Sequence, residues 1–181
     1  MIATDGVDDF PWFFIWKPDI PPKINFLVWC AFHGNLNTLD MLQCKGMDVY
    51  SSCVLCGDSP ESKNHLLLHC KIARKIWSAL TPTENWSWVF PESMMALAHT
   101  WQNNHLSNSG KVVWGLIPAA IIWIIWTERN CRTFEEHHIF KTDEELCDSA
   151  KSLVLTWASA ANKRVRLNFS NTLRNWEYVF Y

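Results

Sequence analysis

The sequence predicts a mainly α-helical fold: a small loop pinned by cysteine and histidine, embedded between helices, then a helical C-terminal region. Three observations carry this expectation. Lys23 to His33 puts apolar side chains at Ile24, Leu27, Val28, Ala31 and Phe32, the spacing of one helix face. Thr142-Asp143-Glu144-Glu145 is a capping box, with Thr142 as N-cap and Glu145 three residues later, and it opens a long helix to about Lys163. Between these, Cys53 to Cys70 concentrates cysteine and histidine in two close pairs.

Taken in order, residues 1–20 carry Pro11, Pro18 and the run Trp12-Phe13-Phe14-Ile15-Trp16, which reads as an extended arm with room for one short strand, its aromatics docked on the body. Pro21-Pro22 marks a helix start, because proline is tolerated in the first turn, and Gly34 closes that helix as a C-cap. Thr38 is the expected N-cap of the next helix, carrying Leu39, Leu42 and Gln43 and ending at Gly46. Cys30 and Cys44 fall on these helices as small core or interfacial residues. Met47 to Ser52 suits a short strand. His65 to Cys70 reads as the first turns of a helix that continues past Cys70, with Ile72, Ile76, Trp77 and Leu80 as its apolar stripe.

Thr81 to Pro91, with Trp86 and Trp88, is the expected linker. A helix follows from Glu92 to Asn103, then a polar turn to Gly110, then an apolar helix over 111–127 that runs on into Glu128-Arg129-Asn130-Cys131-Arg132-Thr133-Phe134. The long helix opened at Thr142 turns Leu146, Ala150, Leu153, Val154, Trp157 and Ala161 inward. The expected organisation is therefore a metal-binding module over 12–80, a helical region over 92–163 and a tail over 164–181 without assigned structure. No internal repeat or heptad array is present.

Composition narrows the function. With 181 residues, 49% of them apolar, the chain can bury a core, and twelve tryptophans argue for aromatic burial rather than disorder. A net charge of −2 does not suit an autonomous, strongly basic nucleic-acid binder, so such contacts would be local. Seven cysteines and a start without a basic, then apolar, leader point to reduced thiols inside the cell, in nucleus or cytoplasm, and favour metal over disulfides. Val112 to Trp126 is apolar but shorter than the roughly 20 residues a spanning helix needs, and Pro118 interrupts it, so a buried core helix is expected.

The spacing Cys53-x2-Cys56-x8-His65-x4-Cys70 supplies three thiolates and one imidazole, the number and softness of ligands that tetrahedral Zn2+ prefers. Gly57 allows the chain to reverse after the first pair, and Asp58 to Ser62 is a polar connection. His69 stands four residues after His65 on the same helical face, so a Cys53, Cys56, His65, His69 set is an alternative. Four protein ligands close the coordination shell, which makes such a zinc structural rather than hydrolytic. Lys71, Arg74 and Lys75 form a basic face beside this site that could meet phosphate, or serve simply as a solvated face, and an exposed aromatic could stack on a base, with Trp77 more suited to the core.

Elsewhere, no phosphate-binding Gly-rich loop, nucleophile elbow or His-Glu-x-x-His helix occurs. Glu135-Glu136-His137-His138 reads as a solvated helix end, and Asp8-Asp9 as exposed neighbours.

Ile15-Trp16-Lys17, Ile20-Pro21-Pro22-Lys23-Ile24, Phe26-Leu27-Val28-Trp29, Leu36-Asn37-Thr38, Cys53 to Gly57, Glu61-Ser62, His65-Leu66-Leu67 with Cys70, and Ala73-Arg74-Lys75-Ile76-Trp77 together resemble the plant reverse-transcriptase zinc-binding domain. That module lies near the C-terminal end of non-LTR retrotransposon polyproteins, and the resemblance covers about residues 12–80. Ile122 to Asn130 with Phe134 is similar to the segment that follows it in these elements. The resemblance implies Cys53, Cys56, His65 and Cys70 as the zinc ligands. It also implies RNA or single-stranded DNA as a partner, or packing on a reverse transcriptase or on a second copy through apolar surface. No polymerase Tyr/Phe-x-Asp-Asp motif is present, so no polymerase activity of its own is expected.

Overall fold

The apolar stripes read from the sequence converge on one long helix. In the computed structural model, which describes residues 10–82, 89–101, 106–137, 139–161 and 169–181, eight α-helices are seen: α1 (Trp12–Ile15), α2 (Pro22–His33), α3 (Leu39–Cys44), α4 (Lys71–Leu80), α5 (Met94–Thr100), α6 (Asn108–Phe134), α7 (Asp143–Ala161) and α8 (Phe169–Arg174). A π-helical turn, His65–His69, precedes α4, and a 3-10 turn, Trp176–Val179, follows α8. No strand is present among the described residues; Ser52 and Pro60 form an isolated antiparallel bridge.

Helix α6 is the axis of the fold. It packs along α7 and touches α2, α4, the π turn and the C-terminal 3-10 turn, while α4 packs on α7. It is long and apolar enough to cross a membrane by length and composition alone, but Val113, Trp114, Ile117, Ile121, Ile122 and Ile125 face the protein interior. Pro118 lies inside it and has no N–H to give the carbonyl of Trp114, four residues back. The indole N–H of Trp101 fills that place, donating to Trp114 O at 3.1 Å, and the two indoles stack at 4.0 Å with planes 6° apart. Tertiary packing thus repairs the defect that proline introduces.

Several local expectations are met. Gly34 ends α2 at φ 71°, a left-handed conformation in which a side chain is strained. Thr142 and Glu145 form the reciprocal capping box, Glu145 N–H donating to Thr142 Oγ1 (3.2 Å) and Thr142 N–H to Glu145 Oε2 (2.8 Å). Other expectations are corrected. The aromatic arm is not a strand: Trp12–Ile15 is a helical turn that buries Ile15 and leaves Phe13 almost fully exposed. Met47 to Ser52 forms no strand beyond the bridge at Ser52. Thr38 stands at the N-cap of α3, but its hydroxyl caps no amide; Glu61 Oε1 accepts from Leu39 N–H at 2.9 Å instead. Cys44 is exposed rather than interfacial. The helix expected over Glu92–Asn103 runs from Met94 to Thr100, and α6 begins at Asn108, inside the expected polar turn.

Asp8 and Asp9, Trp86 and Trp88 of the linker, His138, and residues 164–168 of the tail lie outside the described residues. The end of the tail does take structure. Trp176 Nε1–H donates to Leu80 O (2.9 Å), and Ser107 N–H to Phe180 O (3.1 Å). Gly110 permits this seat, since a Cβ there would come within 2.5 Å of Phe180 O. The buried apolar side chains form one cluster from Ile15 through Trp77 and Leu80 to Phe180.

Candidate metal centre

The first pair of ligands sits on a tight reversal. Gly57 N–H donates to Cys53 O (2.8 Å), and Gly57 takes φ 71°, so the chain turns back immediately after Cys56. Cys53 N–H donates to Ser59 O (2.8 Å) and Glu61 N–H to Ser51 O (2.7 Å), which ties the two limbs of the loop together. Leu55, at the tip, is buried and plugs the loop into the core.

The second pair sits on the π turn. The sequence suggested one continuous helix through Cys70; the structure breaks it there. Cys70 N–H donates to His65 O (2.6 Å), the i to i+5 bond of a π turn, and Cys70 itself is extended (φ −54°, ψ 137°) as the N-cap of α4. The break puts Cys70 at the start of α4, buried and next to the other three ligands, although its sulfur caps no amide of that turn.

Cys53, Cys56, His65 and Cys70 converge, with their ligand atoms all within 4.8 Å of one another. His65 Nε2 lies 3.3 Å from Cys56 Sγ, close to the roughly 3.6 Å that usual Zn–S and Zn–N bond lengths imply for a tetrahedral shell. The Cys70 side chain beside it, and then burial, push the Cys53 thiol far up, while the Cys53 side chain pulls the Cys70 thiol down. Burial first, and then His69, lower the His65 imidazole below its ordinary value and favour its neutral, ligating form. Donor set and spacing fit a four-ligand zinc site without an open position. His69 is not part of it: its Nε2 is 3.0 Å from Glu92 O, on the outer side of the turn.

A buried charge pair that sequence reasoning missed holds the site against α6. Arg129 Nε and Nη2 both donate to Glu61 Oε1 (3.0 and 2.8 Å), with side-chain exposures of 1% and 0%. The same oxygen accepts from Leu39 N–H, so Glu61 joins α3, α6 and the loop at one atom. Glu61 Oε2 is buried with no hydrogen-bond partner among the described residues, which leaves the Arg129 guanidinium to offset its charge. The guanidinium also lies 5.1 Å from the Trp126 ring. One turn on, Arg132 pairs with Glu128 (2.9 Å) and reaches Leu55 O at 3.5 Å. Glu61 and the Ile122 to Asn130 segment were each noted for their similarity, but nothing joined them, since a contact across 68 positions leaves no local pattern.

The expected basic face beside the site exists as geometry, but its charges are engaged. Lys71 Nζ lies 2.7 Å from an Asp58 carboxylate oxygen, Lys75 pairs with Asp143, and the Arg74 guanidinium lies 5.3 Å from the Phe90 ring. Trp77 is wholly buried, its indole N–H donating to Leu67 O (2.8 Å), so it presents no face for stacking.

No curated protein and no solved structure matches the chain. Residues 1–77 match the family model described as zinc-binding in reverse transcriptase, and that range contains all four converging ligands. The segment 1–77 is thus similar to a reverse-transcriptase zinc-binding domain, and helix α6, which clamps the Cys53–Cys70 loop, lies beyond the matched range.

Proposed function

We propose that the chain is a structural zinc module that binds RNA or single-stranded DNA and has no polymerase activity of its own. The observation that carries the first half is the closed set of Cys53, Cys56, His65 and Cys70, every ligand supplied by the protein. Zinc in such a shell cross-links residues that are distant along the chain and offers no coordination position to substrate. Cys53 and Cys56 would hold it from the loop, His65 and Cys70 from the π turn and the start of α4. The second half rests on the matched family, whose description places the domain in an enzyme that copies RNA. In this reading Lys71, Arg74 and Lys75 meet phosphate only by exchanging Asp58, Asp143 and Phe90 for it.

Two measurements test the proposal. Metal analysis of the purified chain is expected to find one zinc per molecule. Anisotropy titrations with labelled single-stranded RNA and DNA are expected to show binding that weakens steeply with salt. Zinc without any binding at low salt would leave a metal-stabilised packing module. A specific observation favours that second reading: α1 exposes Trp12 (49%) and Phe13 (97%), and Trp16 beside it is 45% exposed, an apolar surface suited to a reverse transcriptase body or a second copy. Light scattering separates the two, since a packing module freed of its partner self-associates.

A further inference from the structure

Helix α6 is buried along most of its length, yet Trp123, Trp126, Thr127 and Asn130, at positions i, i+3, i+4 and i+7, form a half-exposed lane. This lane faces Lys23, Phe26, Leu27 and Cys30 of α2, which share the same spacing. Together with the 35–37 loop they enclose a groove of about 340 Å³. The size falls in the lower part of the range of small-ligand sites, about 300–1,000 Å³.

The chemistry of the lining is selective. Beside Leu27 and Leu36, which are buried, its apolar groups include three flat rings: Trp123, Trp126 and Phe26, the last 56% exposed and stacked on Trp29 at 5.6 Å. Its polar groups are the amides of Asn35, Asn37 and Asn130 and the Lys23 ammonium, and no carboxylate lines it. Lys23 Nζ stands 5.0 Å from the centroid of the Trp123 ring and forms no ion pair among the described residues. At the far end Lys45 Nζ donates to Asn37 Oδ1 (2.6 Å), placing a second cation by the groove. The α4 face differs on each count: its two lysines are paired with Asp58 and Asp143, and its tryptophan is buried.

We infer that the groove between α2 and α6 is the surface on which this chain holds single-stranded nucleic acid, its rings stacking on unpaired bases and Lys23 meeting phosphate. The inference rests on the nucleic-acid reading above and moves its contact surface away from α4. Stacking platforms beside unpaired cations, without opposing acid, are how proteins grip single strands whose base faces are free. Amides at the rim can meet the exposed edges of those bases.

The test uses the full zinc-loaded chain, a fluorescein-labelled oligouridylate and its oligodeoxythymidylate counterpart, at low and at physiological salt. Phe26→Ala and Trp123→Ala are each expected to weaken binding roughly tenfold, in line with the loss of one stacked base. Lys23→Glu should weaken it similarly and flatten the salt dependence. The combined Lys71→Gln, Arg74→Gln, Lys75→Gln variant should lose less binding than any of the groove variants, since its two lysines must first leave Asp58 and Asp143. Circular dichroism and zinc content check each variant; if Trp123→Ala fails to fold, Lys23→Glu and Phe26→Ala, at exposed positions, decide the matter. Wild-type binding that persists in all groove variants and falls in the α4 variant overturns the inference but leaves the nucleic-acid reading standing. Absence of binding by wild type overturns both. Groove variants that change a wild-type oligomer to monomer while binding oligonucleotide normally overturn the inference in favour of a protein-docking groove.

Discussion

Between Ser51 and Ser62 the only buried apolar side chains are Cys53 and Leu55, whereas α6 buries nearly every residue from Val113 to Ile125. The loop is held by hydrogen bonds between its two limbs, by a carboxylate bonded to Arg129, and by the convergence of four ligand atoms suited to one zinc ion. The body is held by area removed from water, about 25 cal/mol per Å² of apolar surface, and by aromatic stacks such as Trp101 on Trp114. A helix built on burial tolerates single defects, as Pro118 shows. A loop built on a few polar contacts does not, because each contact there is a large share of the total.

The sharpest break of this contrast is loss of a ligand. Cys53→Ser or Cys70→Ser is expected to reduce bound zinc from one per chain to near zero by metal analysis. Structural zinc contributes on the order of 10 kcal/mol or more in small zinc domains, and the loop has little else to hold it. Hydrogen exchange should then show amides of 51–62 losing protection while α6 and α7 keep theirs. Zinc retained at full stoichiometry in Cys70→Ser would contradict the ligand set.

Next in size is the clamp. Arg129→Met leaves Glu61 buried without its cation and should cost about 3–5 kcal/mol in urea unfolding. Adding Glu61→Gln should recover a large part of this, because the uncompensated charge is then gone; a double variant as unstable as the single one would show that packing, not charge, is what Arg129 supplies.

Within the body, Trp101→Phe keeps most of the ring but removes the donor that satisfies Trp114 O. About 1–3 kcal/mol of destabilisation is expected, with α6 otherwise intact. If Pro118→Ala in the same background restores stability, the account of that carbonyl is supported, since the alanine amide can take the indole's place. The smallest effect is at the capping box: Thr142→Ala should cost about 1 kcal/mol, read in the same unfolding assay. A Thr142 effect as large as that at Arg129 would dissolve the distinction between loop and body.

How far the sequence could be read follows the same line. The α2 stripe, the Gly34 cap, the box at Thr142 and the buried helix over 111–127 were legible because each depends on residues within a turn or two of one another. So was the metal motif, whose ligands lie within one short stretch. The aromatic arm misled, because Trp and Phe raise strand propensity whereas Pro11 and the docking of Ile15 make Trp12–Ile15 a helical turn. The basic stripe of α4 was legible as a pattern, but Asp58 and Asp143, which engage it, come from other elements.

The sequence by itself determined that this protein is helical, that it carries three cysteines and a histidine at zinc spacing, and that the longest apolar run is a core helix. Each of these follows from local periodicity and ligand chemistry. The tertiary structure alone decided that Cys70, not His69, turns inward, because a π turn breaks the helix at Cys70 and brings its sulfur to the other three ligands, while His69 Nε2 lies against Glu92 O. It alone joined Glu61 to Arg129, seated Phe180 against Gly110 and opened the ring-lined groove between α2 and α6. The physical reason is that these contacts unite residues far apart in the chain, and their energies come from burial and charge pairing that no local stretch of sequence can display.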